Sequence, residues 1–283
     1  MLIAKTIAEC RMQRRQLGKL ALVPTMGALH SGHLSLIQAA RKYAPHVAVS
    51  IFVNPTQFGA KEDFHKYPRP IEADLAKCQS AGVDMVFDPS AEEMYPANHP
   101  EISVDLPNLS GVLEGRFRPG HFKGVCQVVA KLFNIFQPDA ACFGQKDYQQ
   151  FRILSAMVQA LNWPIEIVRC PTIRDPDGLA LSSRNQYLSP PERQRALSIS
   201  KALFTAQEEF SKGVRQTNRL ITTMQNILLS GGEQGRVPLQ IDYVAAVDAI
   251  SLKNVDTVTE PAVLAIAARV GKTRLIDNIL LIP

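Results

Sequence analysis

The chain has 283 residues, enough to bury a substantial core in one large domain or two unequal ones. Its 31 Lys and Arg against 26 Asp and Glu leave a net charge of +5 that is spread evenly, forming no basic stripe, so nucleic-acid binding is not expected and small anionic ligands are only mildly favoured. No apolar run reaches the ~20 residues of a membrane span, and the N-terminus has no charged-then-apolar signal, so a cytoplasmic protein without membrane contact is expected. The cysteines at 10, 78, 126, 142 and 170 form no CxxC pair and read as buried thiols in a reducing compartment, not as zinc ligands or a disulfide framework.

In chain order, the apolar runs 20–23, 47–53, 83–87, 140–143 and 165–168 predict buried strands. Helical spacing over 33–44, 70–81, 121–136 and 147–161 separates them. This alternation predicts an α/β fold: a Rossmann-like, doubly wound parallel sheet over residues 1–174, with right-handed crossovers and ligands beyond the carboxyl ends of its strands. Two helical patterns over 190–230 and apolar runs at 239–249, 262–268 and 275–282 predict a smaller C-terminal α+β domain, 175–283, with an antiparallel sheet. The Asp-Pro-Asp-Gly turn ending at Gly178 reads as a hinge. The GKT at 271–273 lacks the glycine five positions earlier, where Ile266 stands, and is not read as a P-loop.

The decapeptide PTMGALHSGH, 24–33, falls on the first strand-to-helix turn. Such a turn aims free N–H groups and the positive end of the helix at a bound anion. Gly27 and Gly32 have P-loop spacing, but His33 replaces the lysine and Leu34 the magnesium-binding hydroxyl. A phosphate cradle carrying His30 and His33 suits chemistry at an α-phosphate better than hydrolysis of a γ-phosphate. A turn with two solvent-facing histidines is the alternative for the same residues.

Further motifs lie at other strand ends. In NPTQF, 54–58, the Asn-Pro pair stops the strand and would turn Gln57 toward the cleft, where an amide can donate to a carboxylate and accept from a hydroxyl; a loop glutamine in water is the alternative. Asp74, in the first turns of the next helix, is explained by the helix dipole and could also anchor Mg²⁺. In FGQKDYQQF, 143–151, Gly144 permits close backbone approach, Lys146 offers a point charge, Asp147 caps a helix or accepts from a ribose hydroxyl, and Gln150 follows on the same face. Ser182, Ser183 and Arg184 can grip a triphosphate, although polar residues before a helix are common caps. Together these are donors suited to stabilising pyrophosphate as it leaves.

These motifs, with YPR at 67–69, GRFRPGHFKGV at 115–125, LSSRN at 181–185 and GKTRLIDN at 271–278, resemble the pantothenate synthetase (pantoate:β-alanine ligase) family nearly end to end. The resemblance implies an HxGH nucleotidyltransferase-type ATP site and condensation of pantoate with β-alanine, using ATP and Mg²⁺, through a pantoyl adenylate with release of AMP and pyrophosphate. It implies that Met26, Gly27, Ala28, Leu29, His30, Ser31, Gly32 and His33 line the ATP site, with His30 and His33 on the phosphates and His33 as proton donor. Gly144, Gln145, Lys146 and Asp147 would hold adenosine and phosphates, Ile173 the adenine region, and Leu181, Ser182, Ser183 and Arg184 the triphosphate. Lys146 and Arg184 would join the histidines in catalysis, Gln57 and Gln150 would bind pantoate with Gln57 bordering β-alanine, and Asp74 would be linked to magnesium. The C-terminal domain would act as a lid in a homodimer. Gln145 and Leu181 depart from the family's usual Glu and Met, which bears on affinity and not on catalysis. Another HxGH-type adenylyl- or cytidylyltransferase is the alternative, against which Gln57 and Gln150 stand as a hydroxy-acid site.

Overall fold

The computed structural model describes residues 1–283 except 60, 61, 63, 101 and 231–236. Its contacts divide the chain into two compact units, the first made of Met1–Gly111, Arg118–Gln145 and Gln150–Pro171, the second of Val112–Phe117, Lys146–Gln149 and Thr172–Pro283. The second unit therefore takes in two short excursions besides the C-terminal region.

The elements run β1 (Leu2–Ala4), α1 (Ile7–Arg14), β2 (Leu20–Thr25), α2 (Ser31–Ala40), β3 (His46–Ile51), α3 (Ile71–Ser80), β4 (Met85–Phe87) and the single turns α4 (Ala91–Met94), α5 (Pro107–Ser110) and α6 (Glu114–Phe117). They continue with α7 (His121–Phe136), β5 (Ala140–Gly144), α8 (Tyr148–Ala160), β6 (Glu166–Cys170), α9 (Pro190–Ser211), α10 (Thr217–Leu229), β7 (Leu239–Asp248), β8 (Ala262–Val270) and β9 (Thr273–Leu281).

In the first unit six parallel strands form one sheet in the order β1-β4-β3-β2-β5-β6. Alternate residues of β2 serve different cores. Leu20 and Leu22 pack with α7 and α8 residues such as Phe133 and Ile153, whereas Ala21 and Val23 pack with Leu36 and Ile37 of α2 and Cys78 of α3. Burial on both faces explains why these strands read as continuous apolar runs. From β4 to β6 the order is that of a doubly wound nucleotide-binding sheet, with β1 added at the edge. Strand order reverses between the parallel neighbours β2 and β5, and the crevice beyond their carboxyl ends is the expected ligand position.

The predicted strands and helices all form, with boundaries moved by a few residues. Unpredicted are the single turns α4, α5 and α6, β1, whose three residues are too few to show a period, and α1. The latter carries a legible start signal: Thr6 Oγ1 accepts from Glu9 N at 3.1 Å while Glu9 Oε2 accepts from Thr6 N at 3.1 Å.

In the second unit β7, β8 and β9 form an antiparallel sheet that packs on α9 and α10 through Ile199, Leu203, Met224, Leu264 and Ile266. Val270 faces Thr273 across the β8–β9 hairpin, so Gly271 and Lys272 are its two turn residues and Gly271 takes φ +56°. The GKT is thus a hairpin turn. The Asp-Pro-Asp-Gly segment corrects the hinge reading, because it lies inside the second unit as a tied turn. Gly178 N donates to Asp175 O at 2.8 Å, and the Arg193 guanidinium reaches Asp175 Oδ2 at 2.7 Å and Asp177 Oδ2 at 2.8 Å.

Candidate active site

In the first unit β2 runs into PTMGALHSGH through a left-handed corner, Gly27 at φ +79° and Ala28 at φ +50°. His30 then caps α2: its Nδ1 accepts from Gly32 N at 3.2 Å, and His33 Nδ1 accepts from His30 N at 3.3 Å. Since each Nδ1 lone pair takes a backbone N–H, the ring proton of each histidine sits on Nε2. The rings lie 4.1 Å apart, both on the positive end of a ten-residue helix. Two donors are therefore placed where an anion is favoured, at the switch point of the sheet. Gly144 ends the neighbouring strand β5, and a methyl group on it would meet no protein atom within 4 Å.

Asp74 differs from its expected role. Its carboxylate is 1% exposed and accepts from Ala28 N through Oδ2 and from Leu29 N through Oδ1, both at 2.7 Å. Each oxygen is committed to a backbone donor, and no group of three His, Cys, Asp or Glu side chains suited to a metal occurs among the described residues. Asp74 thus does not fit a magnesium ligand. The N–H groups of Ala28 and Leu29 are likewise directed at this carboxylate and not at a phosphate.

Gln57, expected to face the cleft, is buried, because α7 packs over the 3-10 turn Pro55–Gln57. Gln57 Nε2 donates to Met26 Sδ at 3.0 Å, and its Oε1 accepts from Asn54 Nδ2 at 3.1 Å. Thioether sulfur is a weak acceptor, so this N–H is readily given to an oxygen. Asn54 Nδ2 also donates to Gly124 O at 3.1 Å, and Tyr95 Oη donates to Asn54 Oδ1 at 2.9 Å. Burial raises the Tyr95 phenol pKa, which keeps it a donor.

His121, in the first turn of α7, was given no role by the sequence. Its Nδ1 lies 2.8 Å from Gln57 O, and its Nε2 is 2.9 Å from Arg118 Nη1. A guanidinium only donates, so Nε2 accepts and the ring proton is on Nδ1, donated to the Gln57 carbonyl. Arg118 in turn pairs with both oxygens of Glu62, at 2.8 and 2.7 Å. The signal for this cluster is present in GRFRPGHFKGV, but its partner 64 residues earlier is not visible in sequence. Gln150 lies in the first turns of α8 and is half-buried.

The second unit carries the other donors. Lys146 and Asp147 lie in the 3-10 turn Gln145–Asp147, with Lys146 Nζ 3.8 Å from Asp147 Oδ1. Asn278 of β9, another residue without a sequence-assigned role, donates to Lys146 O at 2.8 Å. Beside it, Asp277 pairs with Arg174 at 2.6 and 2.9 Å. Leu181 N donates to Ile173 O at 2.9 Å, while Ser182 caps the 3-10 turn Ser183–Tyr187 by accepting from Arg184 N at 3.3 Å. These short-range contacts join Ile173 to Leu181 and Ser182 to Arg184.

All five cysteines are free and buried. Burial raises the thiol pKa to about 12 at Cys10 and Cys126 and to about 11 at Cys78, so these supply no nucleophile near neutrality. No helix among the described residues is long and apolar enough to cross a membrane.

A doubly wound sheet with a His-x-Gly-His turn at its switch point defines an α/β enzyme of the nucleotidyltransferase-like fold. Residues 2–280 match the pantoate-beta-alanine ligase family. A pantothenate synthetase of Sulfurihydrogenibium sp. (strain YO3AOP1) is 51% identical over 266 residues, 94% of this chain and 93% of its own. Among solved structures, pantothenate synthetase from Thermus thermophilus has a TM-score of 0.93 at 42% identity, covering 100% of both chains. The pantoate-beta-alanine ligase from Francisella tularensis, complexed with β-γ ATP and β-alanine, has a TM-score of 0.78 at 33% identity, with 99% and 97% covered. The chain belongs to the pantoate-beta-alanine ligase family and is an enzyme of pantothenate synthesis.

Proposed function

We propose that this enzyme joins pantoate to β-alanine by first adenylating the pantoate carboxylate with ATP. A carboxylate resists attack by an amine because oxide would have to leave. Formation of the acyl–phosphate bond to the α-phosphorus, with cleavage of the α–β phosphoanhydride, releases pyrophosphate and leaves an acyl adenylate. The β-alanine amine then forms the amide, loses a proton, and expels AMP. The observation that carries this reading is the pair of histidines whose Nδ1 atoms are held by backbone N–H groups at the start of α2.

In this proposal His30 and His33 donate through Nε2 to phosphate oxygens, with His33 the proton donor as pyrophosphate departs. Lys146 and Arg184 offset charge, and Ser182 and Ser183 donate to the triphosphate. This is a donor set that acts where charge accumulates. Met26–Gly32, with the Ala28 and Leu29 N–H groups held on Asp74, together with Gly144–Asp147, Ile173 and Leu181, line the rest of the ATP site. Gln57, releasing Met26 Sδ for a pantoate oxygen, and Gln150 orient the pantoyl group, the acyl donor; orientation supplies much of the acceleration in the second step. No covalent enzyme intermediate is needed. Magnesium enters only as a counter-ion of the triphosphate. A cytoplasmic homodimer completes the proposal; the five buried thiols support a reducing compartment, and sedimentation tests the dimer.

The test is ATP–pyrophosphate exchange. It is expected to require pantoate, and β-alanine is expected to convert exchange into AMP release. Exchange independent of pantoate would overturn the ligase reading in favour of simple nucleotide transfer.

A further inference from the structure

We infer that Asp74 and Lys77 of α3 preset the histidine turn, and that Asp74 is a positioning residue and not a ligand of magnesium. Gly27 and Ala28 are consecutive residues at positive φ, and the turn they make brings the N–H groups of Ala28 and Leu29 onto one anion. Here the anion is the protein's own. Asp74 Oδ2 and Oδ1 take Ala28 N and Leu29 N at 2.7 Å each, and one turn along α3 Lys77 Nζ donates to Leu29 O at 2.6 Å. Three charge-assisted bonds thus hold three successive peptide groups, those joining residues 27–28, 28–29 and 29–30.

The packing leaves little alternative. A Cβ on Gly27 would stand 3.0 Å from both Asp74 Oδ2 and Ile51 Cγ2, so the carboxylate sits against the corner with no room for an intervening water or ion. Ala28 carries a side chain in a conformation that L-residues adopt at a cost, and the carboxylate is what holds it there. Magnesium would need a carboxylate oxygen at about 2.0–2.1 Å and usually keeps several waters, whereas this carboxylate is 1% exposed and already bonded through both oxygens. The consequence for the site is order. With residues 28 and 29 fixed, His30 enters α2 from one direction and its Nδ1 meets Gly32 N.

The catalytic consequence rests on the ligase reading; the conformational one does not. The test uses Asp74→Asn, which keeps the shape but offers one acceptor and turns an amide N–H toward a backbone N–H, and Lys77→Met, which removes the third bond and involves no carboxylate. Amide hydrogen exchange at residues 28–30 is expected to quicken in both variants, while β2 and β3 keep their protection. The turnover number of pantoate-dependent exchange should fall about 10–100-fold in Asp74→Asn and less in Lys77→Met, with the Mg²⁺ concentration for half-maximal rate unchanged. A rise of tenfold or more in that Mg²⁺ concentration, with activity recovered by excess metal, would make Asp74 a ligand and overturn the inference. Unchanged exchange at residues 28–30 in both variants would overturn it as well. If Asp74→Asn does not fold, Lys77→Met alone decides, through the same exchange readout. Wild-type protein lacking pantoate-dependent exchange would instead count against the ligase reading and leave the hydrogen-exchange result standing.

Discussion

Gly124→Ala separates stability from function in this enzyme. Gly124 lies in the first turns of α7, where that helix meets the turn bearing Gln57. A Cβ there would stand 2.2 Å from Thr56 O, 2.4 Å from Thr56 C and 2.6 Å from Gln57 N, all backbone atoms that cannot rotate aside. Restoring ordinary contact at 3.4 Å from 2.2 Å requires about 1.2 Å of separation between α7 and Thr56–Gln57. That movement also stretches the bonds from His121 to Gln57 O and from Asn54 to Gly124 O. Overpacking of this kind costs ~1–3 kcal/mol, against which alanine in place of glycine in a helix returns up to ~1 kcal/mol. The net loss of stability is therefore between roughly zero and ~3 kcal/mol. Function should suffer more, since displacement of a substrate-orienting group by about 1 Å costs on the order of 100-fold in rate. Calorimetric melting together with pantoate-dependent ATP–pyrophosphate exchange reads both quantities. A variant that melts higher than wild type with unchanged kcat and pantoate KM would refute the argument that Gln57 is set by the approach of α7.

Three further outcomes are expected. His33→Ala should lower pantoate-dependent exchange by about 100–1000-fold with little change in melting temperature, because it removes a donor at the leaving pyrophosphate and only a weak cap from α2. Asn278→Ala, which frees the Lys146 carbonyl, should raise the ATP KM several-fold and cost about 1 kcal/mol in urea unfolding; an unchanged KM would separate Lys146 placement from β9. Cys10, Cys78 and Cys126 have folded pKa values raised above the ordinary value of 9 by burial, so between that value and about 11–12 the unfolded chain loses protons that the folded one keeps. Stability is then full below pH 9 and falls as pH rises; urea midpoints from about pH 8 to 10 should decline, and Cys10→Ala should flatten the decline.

Much of the fold was legible because local patterns carry it. The helix over 121–136 forms with those limits as α7, since its strongly apolar face outweighs the glycine at 124. β1 was not legible, because three edge residues gain strand structure only from pairing with β4. The histidine turn was legible as a strand-to-helix junction, and its caps arise from residues three apart. Gln57 was legible as a residue of a turn at a strand end, but its burial was not, because that depends on a helix more than 60 residues away.

The sequence by itself therefore determined the alternating order of strands and helices, the position of PTMGALHSGH at a strand end, and the chemical types in the site. These follow from hydrophobic period and from hydrogen bonds that close within one helical turn. Only the tertiary structure decided which polar groups are already satisfied: Asp74 on Ala28 and Leu29, His121 on Gln57, and Asn278 on Lys146. Periodicity records which face of an element is buried. It carries no record of which distant donor meets a given acceptor, because that depends on how the sheets and helices pack.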